Sequence, residues 1–224
     1  HGQSTTASGS YSTAEGLQTL ASGNLGSHAE GLNSYATGQT SHAEGQDTLA
    51  GGQNSHSEGN STQALGSGSH AQNYNNIAQG DFSHAGGLQS YATGFASFVH
   101  GQSVSATTNF AVAMGVASVA NGDASFTSGN GTRANANYSQ AFGNGSIAWG
   151  SSAHAEGNST QALGPNSHSE GNGTQANGGN SHAEGNNTTA NGSESHAEGN
   201  TTQANGGSSH AEGNGTQAWG YCSH

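Results

Sequence analysis

The sequence predicts an all-β solenoid built from coils of 14 residues. Three observations support this fold class: a Ser-His-Ala-Glu-Gly phrase returns at a fixed spacing, small and variable residues alternate within each unit, and Gly and Asn gather between the alternating stretches. Self-similarity at a short fixed period indicates that each unit is one coil, stabilised by the coils before and after it. One kind of coil therefore accounts for the whole chain.

The repeated phrase keeps one phase along the 224 residues. The clearest units begin at Ser27, Ser41, Ser55, Ser69, Ser83, Ala153, Ser167, Ser181, Ser195 and Ser209. One additional residue shifts the spacing within 23–26, where we expect a bulged corner. We expect a single repeat domain, a fragment of a longer fibre, with first coils in 1–26, His/Glu repeats in 27–96, apolar variants in 97–152 and His/Glu repeats in 153–224.

Each unit contains two half-repeats, Ser-His-Ala-Glu-Gly and Thr-x-Ala-x-Gly, and each alternates with the period of two that is typical of a strand. Ala recurs in the second half-repeat of every unit from Ala36 to Ala218, so these side chains are predicted to point inward. Ser, Ala and the glycines of the first half-repeat, from Gly31 onward with Asn73 as an exception, are predicted to fill the other inner positions. The bore is therefore expected to be narrow.

Gly-Asn-Gly, Gly-Asn-Asn and Gly-Gly-Asn sequences lie between the half-repeats and are predicted to form the corners, because Gly and Asn tolerate positive φ.

The charge of the chain limits its possible partners. Arg133 is the only Lys or Arg against 13 acidic residues, which argues against nucleic acid and against membrane contact within this segment. The single cysteine, Cys222, excludes an intrachain disulfide framework.

The outward positions of the first half-repeat are predicted to meet another chain. In most units they carry His and Glu, which we call the polar seam: His28, Glu30, His42, Glu44, His56, Glu58, His154, Glu156, His168, Glu170, His182, Glu184, His196, Glu198, His210 and Glu212. In the central units the same face carries the apolar seam, which comprises Phe98, Val112, Met114, Phe126 and Phe142. Monomeric soluble proteins seldom expose such a stripe, so this face is expected to be an interface.

The phrase Ser-His-Ala-Glu-Gly followed by x-x-Thr-x-Ala-x-Gly resembles the head repeat of trimeric autotransporter adhesins, the YadA-like left-handed parallel β-roll. The segment 111–115, Ala-Val-Ala-Met-Gly, follows the family's apolar habit closely. The resemblance implies a parallel homotrimer, in which the positions of His28 and Glu30 face the other two chains. The His-Ala-Glu-Gly repeats also resemble those of phage tail-fibre and spike proteins.

In such a trimer, His and Glu of different chains would pair near the axis, because a buried charge is costly unless it is paired and hydrogen-bonded. A metal site is the main alternative, since imidazole and carboxylate are good Zn²⁺ ligands. The spacing favours a structural role, because His recurs once in every coil instead of converging on one ion. We therefore predict no metal site and no cofactor.

Catalysis is not expected either, because it needs a singular constellation of residues and every motif here is repeated. Ice binding is disfavoured because the regular Thr positions are in phase with the inward Ala residues.

The sequence therefore predicts a non-enzymatic, extracellular fibre segment of a cell surface or a virion. It would be a trimeric rod that attaches multivalently to a host-surface receptor or extracellular matrix. A purely structural self-assembling filament and a phage tail-fibre shaft remain alternatives.

The aromatic residues of the variable middle leave two interpretations open. Tyr74, Phe82, Tyr91, Phe95, Phe110 and Tyr138 lie outside the repeated phrase. They either contact a receptor or seal a locally apolar trimer.

Overall fold

The computed structural model describes residues 2–224 and confirms the all-β prediction. These residues form a parallel β-solenoid of about 15 turns with no helix. A membrane-spanning helix is accordingly absent from residues 2–224. Contacts divide the chain into a first unit that ends at Ala111 and a second unit that begins at Val112. Each turn contributes one longer and one shorter strand, as the two half-repeats predict.

The first unit contains strands β1 to β15. The longer strands are β2 (Thr13–Leu17), β4 (His28–Leu32), β6 (His42–Gln46), β8 (His56–Asn60), β10 (His70–Ala71), β12 (His84–Leu88) and β14 (Phe98–Gln102). The shorter strands are β1 (Thr6–Ala7), β3 (Leu20–Ala21), β5 (Tyr35–Ala36), β7 (Leu49–Ala50), β9 (Gln63–Ala64), β11 (Ile77–Ala78), β13 (Tyr91–Ala92) and β15 (Ser105–Ala106).

The second unit contains strands β16 to β31. The longer strands are β16 (Val112–Val116), β18 (Phe126–Asn130), β20 (Gln140–Asn144), β22 (His154–Asn158), β24 (His168–Asn172), β26 (His182–Asn186), β28 (His196–Asn200) and β30 (His210–Asn214). The shorter strands are β17 (Val119–Ala120), β19 (Arg133–Ala134), β21 (Ile147–Ala148), β23 (Gln161–Ala162), β25 (Gln175–Ala176), β27 (Thr189–Ala190), β29 (Gln203–Ala204) and β31 (Gln217–Ala218).

Within each unit the longer strands pair only with longer strands and the shorter only with shorter, always in parallel. The register places equivalent residues of successive coils side by side, for example His42 beside His56 in the first unit and His182 beside His196 in the second. A constant coil length therefore turns each position of the repeat into a continuous row of like residues.

The additional residue near the start is absorbed at a corner, as the shifted spacing predicts. Thr13 of β2 pairs with His28 of β4, one residue further along than the usual step, while Ala14 still faces Ala29. The corner that holds the extra residue contains Leu25, whose carbonyl accepts a hydrogen bond from Thr40 N at 2.7 Å, and Gly26, which has a φ of 62°. Both neighbouring strands keep their inward and outward faces because the insertion lies outside them.

The inner positions hold small side chains, which confirms the narrow bore. In the coil that begins at Ser41, the side chains of Ser41, Ala43, Thr48 and Ala50 are buried, and the Ala row of the second half-repeat is buried from Ala36 to Ala218. The largest fully buried apolar side chains are Val99 and Val104, in a single coil of the first unit. Methyl groups therefore supply most of the apolar interior.

Many hydroxyl groups of the interior bond to the backbone and to one another. The Ser41 hydroxyl donates to Gly38 O at 2.7 Å, and the equivalent Ser of most coils does the same. The Ser169 and Thr174 hydroxyls lie 2.7 Å apart, and Thr174 also donates to Glu170 O at 3.1 Å. Hydrogen bonding of this kind offsets the cost of burying polar groups.

The glycines of the first half-repeat do not line the bore, so that part of the prediction is wrong. Gly45 is exposed at the end of a strand with a φ of 112°, and a Cβ atom there would collide with the carbonyl oxygen of Gly59 in the next coil. Gly is needed for this close approach of stacked backbones and for its φ. Where Asn73 takes the position, φ falls to 76° and β10 is only two residues long.

The corners adopt positive φ as predicted, with Asn33 and Asn54 as typical cases. The residue types are broader than the Gly and Asn pattern suggests. Phe82, Phe110 and Tyr138 also occupy left-handed positions, with φ values of 56°, 57° and 61°. The hydrogen-bonded strands on each side of the corner impose this conformation on residues that do not favour it.

Candidate functional site

The polar seam lies on the outer face of the longer strands, as two rows in each unit. The rings of His28, His42 and His56 stack with centroids 4.7 and 4.8 Å apart in the first unit. In the second unit, His168, His182, His196 and His210 stack at 4.7, 4.8 and 4.9 Å. These distances match the spacing of paired strands, so the sheet register itself creates the rows.

Most imidazoles of the polar seam lie beside a carboxylate of the same chain. Nε2 of His28 is 3.6 Å from Glu30 Oε2 within the same strand, because residues two apart share a face. The equivalent His to Glu pairs that begin at His42, His154, His168, His182 and His196 measure 3.6, 3.2, 3.5, 3.5 and 3.9 Å. The sequence interpretation expected these pairs between chains; within one chain they already form.

Two further pairs join successive coils. Nε2 of His70 lies 3.4 Å from Glu58 Oε1, and Nε2 of His210 lies 3.8 Å from Glu198 Oε1. Glu198 is therefore within 4 Å of two imidazoles, since its other oxygen is 3.9 Å from His196 Nε2. A carboxylate between two stacked rings links neighbouring coils electrostatically.

Most of these imidazole nitrogens are hidden from solvent and lack a hydrogen bond. The Nε2 atoms concerned are those of His28, His42, His56, His70, His168, His182, His196 and His210. The exception is His154, whose Nε2 is hydrogen-bonded to Glu156 at 3.2 Å. Buried polar atoms without partners are uncommon in folded proteins, so this row needs an explanation.

Burial and stacking shift the pKa values of several seam residues. Burial lowers the pKa of His42, His56 and His182 below the usual 6.5, and the charges of neighbouring imidazoles lower it further. Burial raises the pKa of the Glu44 carboxyl, with a further contribution from its hydrogen bond to Glu58. Both directions reflect the cost of holding a charge away from water.

Three groups of seam residues bring their ligand atoms within 4.8 Å of one another. They are His42 with Glu44 and His56, His182 with Glu184 and His196, and Glu198 with His210 and Glu212. Each group combines residues of two successive coils. The sequence interpretation treated the histidines as too regularly spaced to converge; the stacking distance between coils brings them together.

The apolar seam continues the same rows. In the first unit Phe98 stacks on His84 with centroids 4.9 Å apart. In the second unit Phe126 meets Phe142 edge to face at 5.1 Å, and Phe142 meets His154 at 5.4 Å. Phe98 and Met114 are 36% and 37% exposed, while Val112, Phe126 and Phe142 are half-buried. Apolar surface is thus left open on this face.

Phe82, Phe95 and Phe110 form a separate aromatic corner in the first unit. Phe95 meets Phe82 and Phe110 edge to face at 5.6 and 5.5 Å. Phe82 and Phe110 are 63% and 58% exposed. These residues lie at the turns between a shorter and a longer strand, away from the seam positions. Sequence reasoning missed their mutual contact because Phe95 is out of phase with the other two. The available signal was the occurrence of a phenylalanine between the half-repeats of three successive units.

Comparison with known families agrees with the repeat pattern. The family model described as the YadA head domain repeat (2 copies) matches residues 1–24, 29–55, 109–126, 141–167 and 183–202. These ranges cover more than half of the chain. No curated protein matches the sequence significantly.

Proposed function

Since the chain belongs to the YadA head domain repeat family, we propose that it is a surface-exposed fibre segment of an adhesin. In this proposal three copies of the β-roll, left-handed as in the family, assemble in parallel along the polar and apolar seams. The trimer attaches to a host surface or to extracellular matrix. The repeats and the solenoid fold point to a structural adhesin that is not an enzyme.

The open apolar face of the longer strands carries the proposal. Each buried methyl group contributes only about 0.8 kcal/mol, whereas ordering one residue costs about 1–2 kcal/mol. The interior of each unit is nevertheless filled mainly by Ala, Ser and Thr, while Phe98 and Met114 remain more than one third exposed outside. Covering the seam with partner chains would add the apolar burial that the narrow bore cannot supply.

The polar seam is compatible with the same interface. Its carboxylates and imidazoles already lie beside one another within the chain. A partner would therefore meet a row of paired groups, which lowers the cost of removing them from water. Stacked rows on three chains would also resist sliding, because one step along a row must match the coil spacing.

The assembly is tested by the mass in solution. Light scattering or sedimentation of the chain is expected to give three times its mass of 22.0 kDa. Met114→Glu places a charge in the apolar seam and should dissociate the trimer. Val119→Glu is the matched control, because Val119 lies on the outer face of the shorter strand in the same coil. A wild-type monomer, or equal behaviour of both variants, would refute the proposed seam.

The attachment is tested separately by retention on immobilised extracellular matrix. Three linked copies of a weak site bind far more tightly than one, because later contacts form at a high effective concentration. The trimer should therefore be retained strongly, and the Met114→Glu variant weakly. A trimer that is not retained would support a purely structural filament instead.

A further inference from the structure

The buried imidazole nitrogens of the polar seam indicate a second role, and we propose that the seam binds Zn²⁺. Three sites are assigned within one chain. Two consist of two imidazoles and one carboxylate, from His42, Glu44 and His56 and from His182, Glu184 and His196; the third consists of one imidazole and two carboxylates, from His210, Glu198 and Glu212.

The imidazole nitrogens of the two His-Glu-His groups lack partners. Nε2 of His42, His56, His182 and His196 is hidden from solvent and has no hydrogen-bond partner. A neutral imidazole uses one nitrogen as a donor and the other as an acceptor of a proton or a metal. The carboxylates beside His42, His182 and His196 are 3.6, 3.5 and 3.9 Å from these nitrogens, which is too far for a normal hydrogen bond. An ion between the two groups would satisfy both.

The imidazole nitrogen and the carboxylate oxygen of each pair lie at nearly the separation of two zinc ligands. His42 Nε2 and Glu44 Oε2 are 3.6 Å apart, and His182 Nε2 and Glu184 Oε2 are 3.5 Å apart. Two ligand atoms at about 2.0–2.1 Å from a tetrahedral zinc ion are separated by about 3.4 Å. Each pair therefore needs only a small movement to hold the ion.

The third ligand comes from the next coil. His56 and His196 belong to the strands that pair with β6 and β26, and all ligand atoms of each group lie within 4.8 Å. That separation exceeds the distance between two ligands of one ion, so the ring of the second histidine must tilt toward the first. Zinc with two His, one carboxylate and a water is a common ligand set.

The chemistry of the ligands selects the kind of ion. Imidazole nitrogen with carboxylate oxygen suits Zn²⁺ and similar transition ions, whereas Ca²⁺ and Mg²⁺ prefer oxygen ligands alone. The two His-Glu-His groups occur at equivalent positions in separate units. Each ligand set is complete within a single chain, so zinc binding does not depend on the proposed trimer.

Calorimetric titration of the metal-free full chain with Zn²⁺ tests the proposal. We expect saturable binding of three ions per chain, one for each group, and a rise in melting temperature because only the folded chain holds the ligands together. Titration with Mg²⁺ should give neither effect. Co²⁺ should give the intense visible absorption of a tetrahedral site. Absence of saturable Zn²⁺ binding would overturn the proposal.

Variants locate the sites. His182→Asn combined with His196→Asn should remove one of the three ions. His100→Asn is the matched control, because His100 lies on the same outer face outside the three groups and should leave all three sites intact. Glu184→Gln preserves the side-chain size and provides a second route if the double variant does not fold. Undiminished binding in both site variants would contradict the assignment.

The mass in solution, measured with and without Zn²⁺, separates this proposal from that of the trimer. A monomer that binds zinc would support the ion sites and refute the trimer. A trimer without zinc binding would do the reverse.

Discussion

The side-chain Nε2 of Gln72 lies 3.4 Å from Nε2 of His84, across two neighbouring coils of the first unit. An amide nitrogen can only donate, so the imidazole accepts through its lone pair and is neutral in this arrangement. The pKa of His84 is lowered by burial first, and then by the charges of His70 and His100, while Glu58 acts in the opposite direction.

The stability of the chain should fall as the pH drops below about 6.5, the ordinary histidine value. His84 has a lower pKa in the folded chain than in the unfolded chain, so the unfolded chain takes up its proton first. The contribution of His84 to stability is present above the pKa of the unfolded chain and is lost as the pH falls. Thermal unfolding in a chelating buffer from pH 8 to pH 5 measures this loss of stability.

His84→Gln is the matched variant, since Gln140 occupies the equivalent position in the second unit. Its melting temperature should fall less than that of the wild type between pH 7 and pH 5. The raised pKa of Glu44 is common to both proteins and cancels in the comparison. Parallel melting curves at every pH would show that His84 does not contribute.

Two glycines near the end of β20, Gly143 within the strand and Gly145 just after it, should respond differently to alanine. Gly143→Ala would push a Cβ atom into the carbonyl oxygen of Gly157, whereas the nearest atom to a Cβ at Gly145 is Ser159 Oγ at 3.7 Å. Gly145→Ala should therefore cost only the left-handed backbone, about 1–2 kcal/mol. Gly143→Ala adds a collision between backbones and should cost about 3 kcal/mol or more.

Urea unfolding of these two glycine variants checks the difference, because both changes lie in the second unit and add the same atom. Equal shifts of the unfolding midpoint would mean that the coils can separate locally at Gly143.

Buried threonines should differ according to their hydrogen bonds. Thr174→Val removes the partner of the Ser169 hydroxyl and should lower the free energy of unfolding by about 1–3 kcal/mol. Thr188 occupies the same position in the next coil, but its hydroxyl has no partner there. Thr188→Val should therefore leave stability unchanged or raise it. The unfolding midpoints in urea give the comparison, and an equal loss in both variants would contradict it.

A large side chain should destabilise the chain at an inward position of the coil but not at an outward one. Ala190 is fully buried between the Ala176 and Ala204 positions of the adjacent coils. Ala190→Leu should destabilise the chain by about 1–3 kcal/mol through overpacking. Thr189→Leu is the control, because Leu49 already occupies that outer position in the first unit. The melting temperatures of the two variants decide, and tolerance of both would mean that the interior can expand.

Much of the fold follows from the sequence because each position of the coil is sampled many times. The inward Ala row, the two strands per coil and the corner that absorbs an extra residue were all predicted from residue spacing. The role of Gly45 was predicted wrongly. An alternating pattern cannot distinguish a glycine that lines the bore from a glycine that allows the backbones of two stacked coils to approach closely.

The candidate site was predicted in part. The pattern places His42 and Glu44 on one face, but the distance from His42 to His56 depends on the sheet register and not on their spacing in sequence. The pairing of His42 with Glu44 inside one chain follows from that shared face, but it was missed because both side chains were assigned to contacts with other chains. Assembly into a trimer remains a prediction.

The corner at 23–26 also bears on how such genes can change. A residue added there displaces no strand, whereas gain or loss of 14 residues elsewhere preserves every pairing by exchanging one coil for its equivalent. Insertion or deletion of one 14-residue unit among the His-Ala-Glu-Gly repeats is therefore expected to give chains that differ by whole coils and keep the same strand pairings. Length polymorphism in discrete steps is built into this architecture.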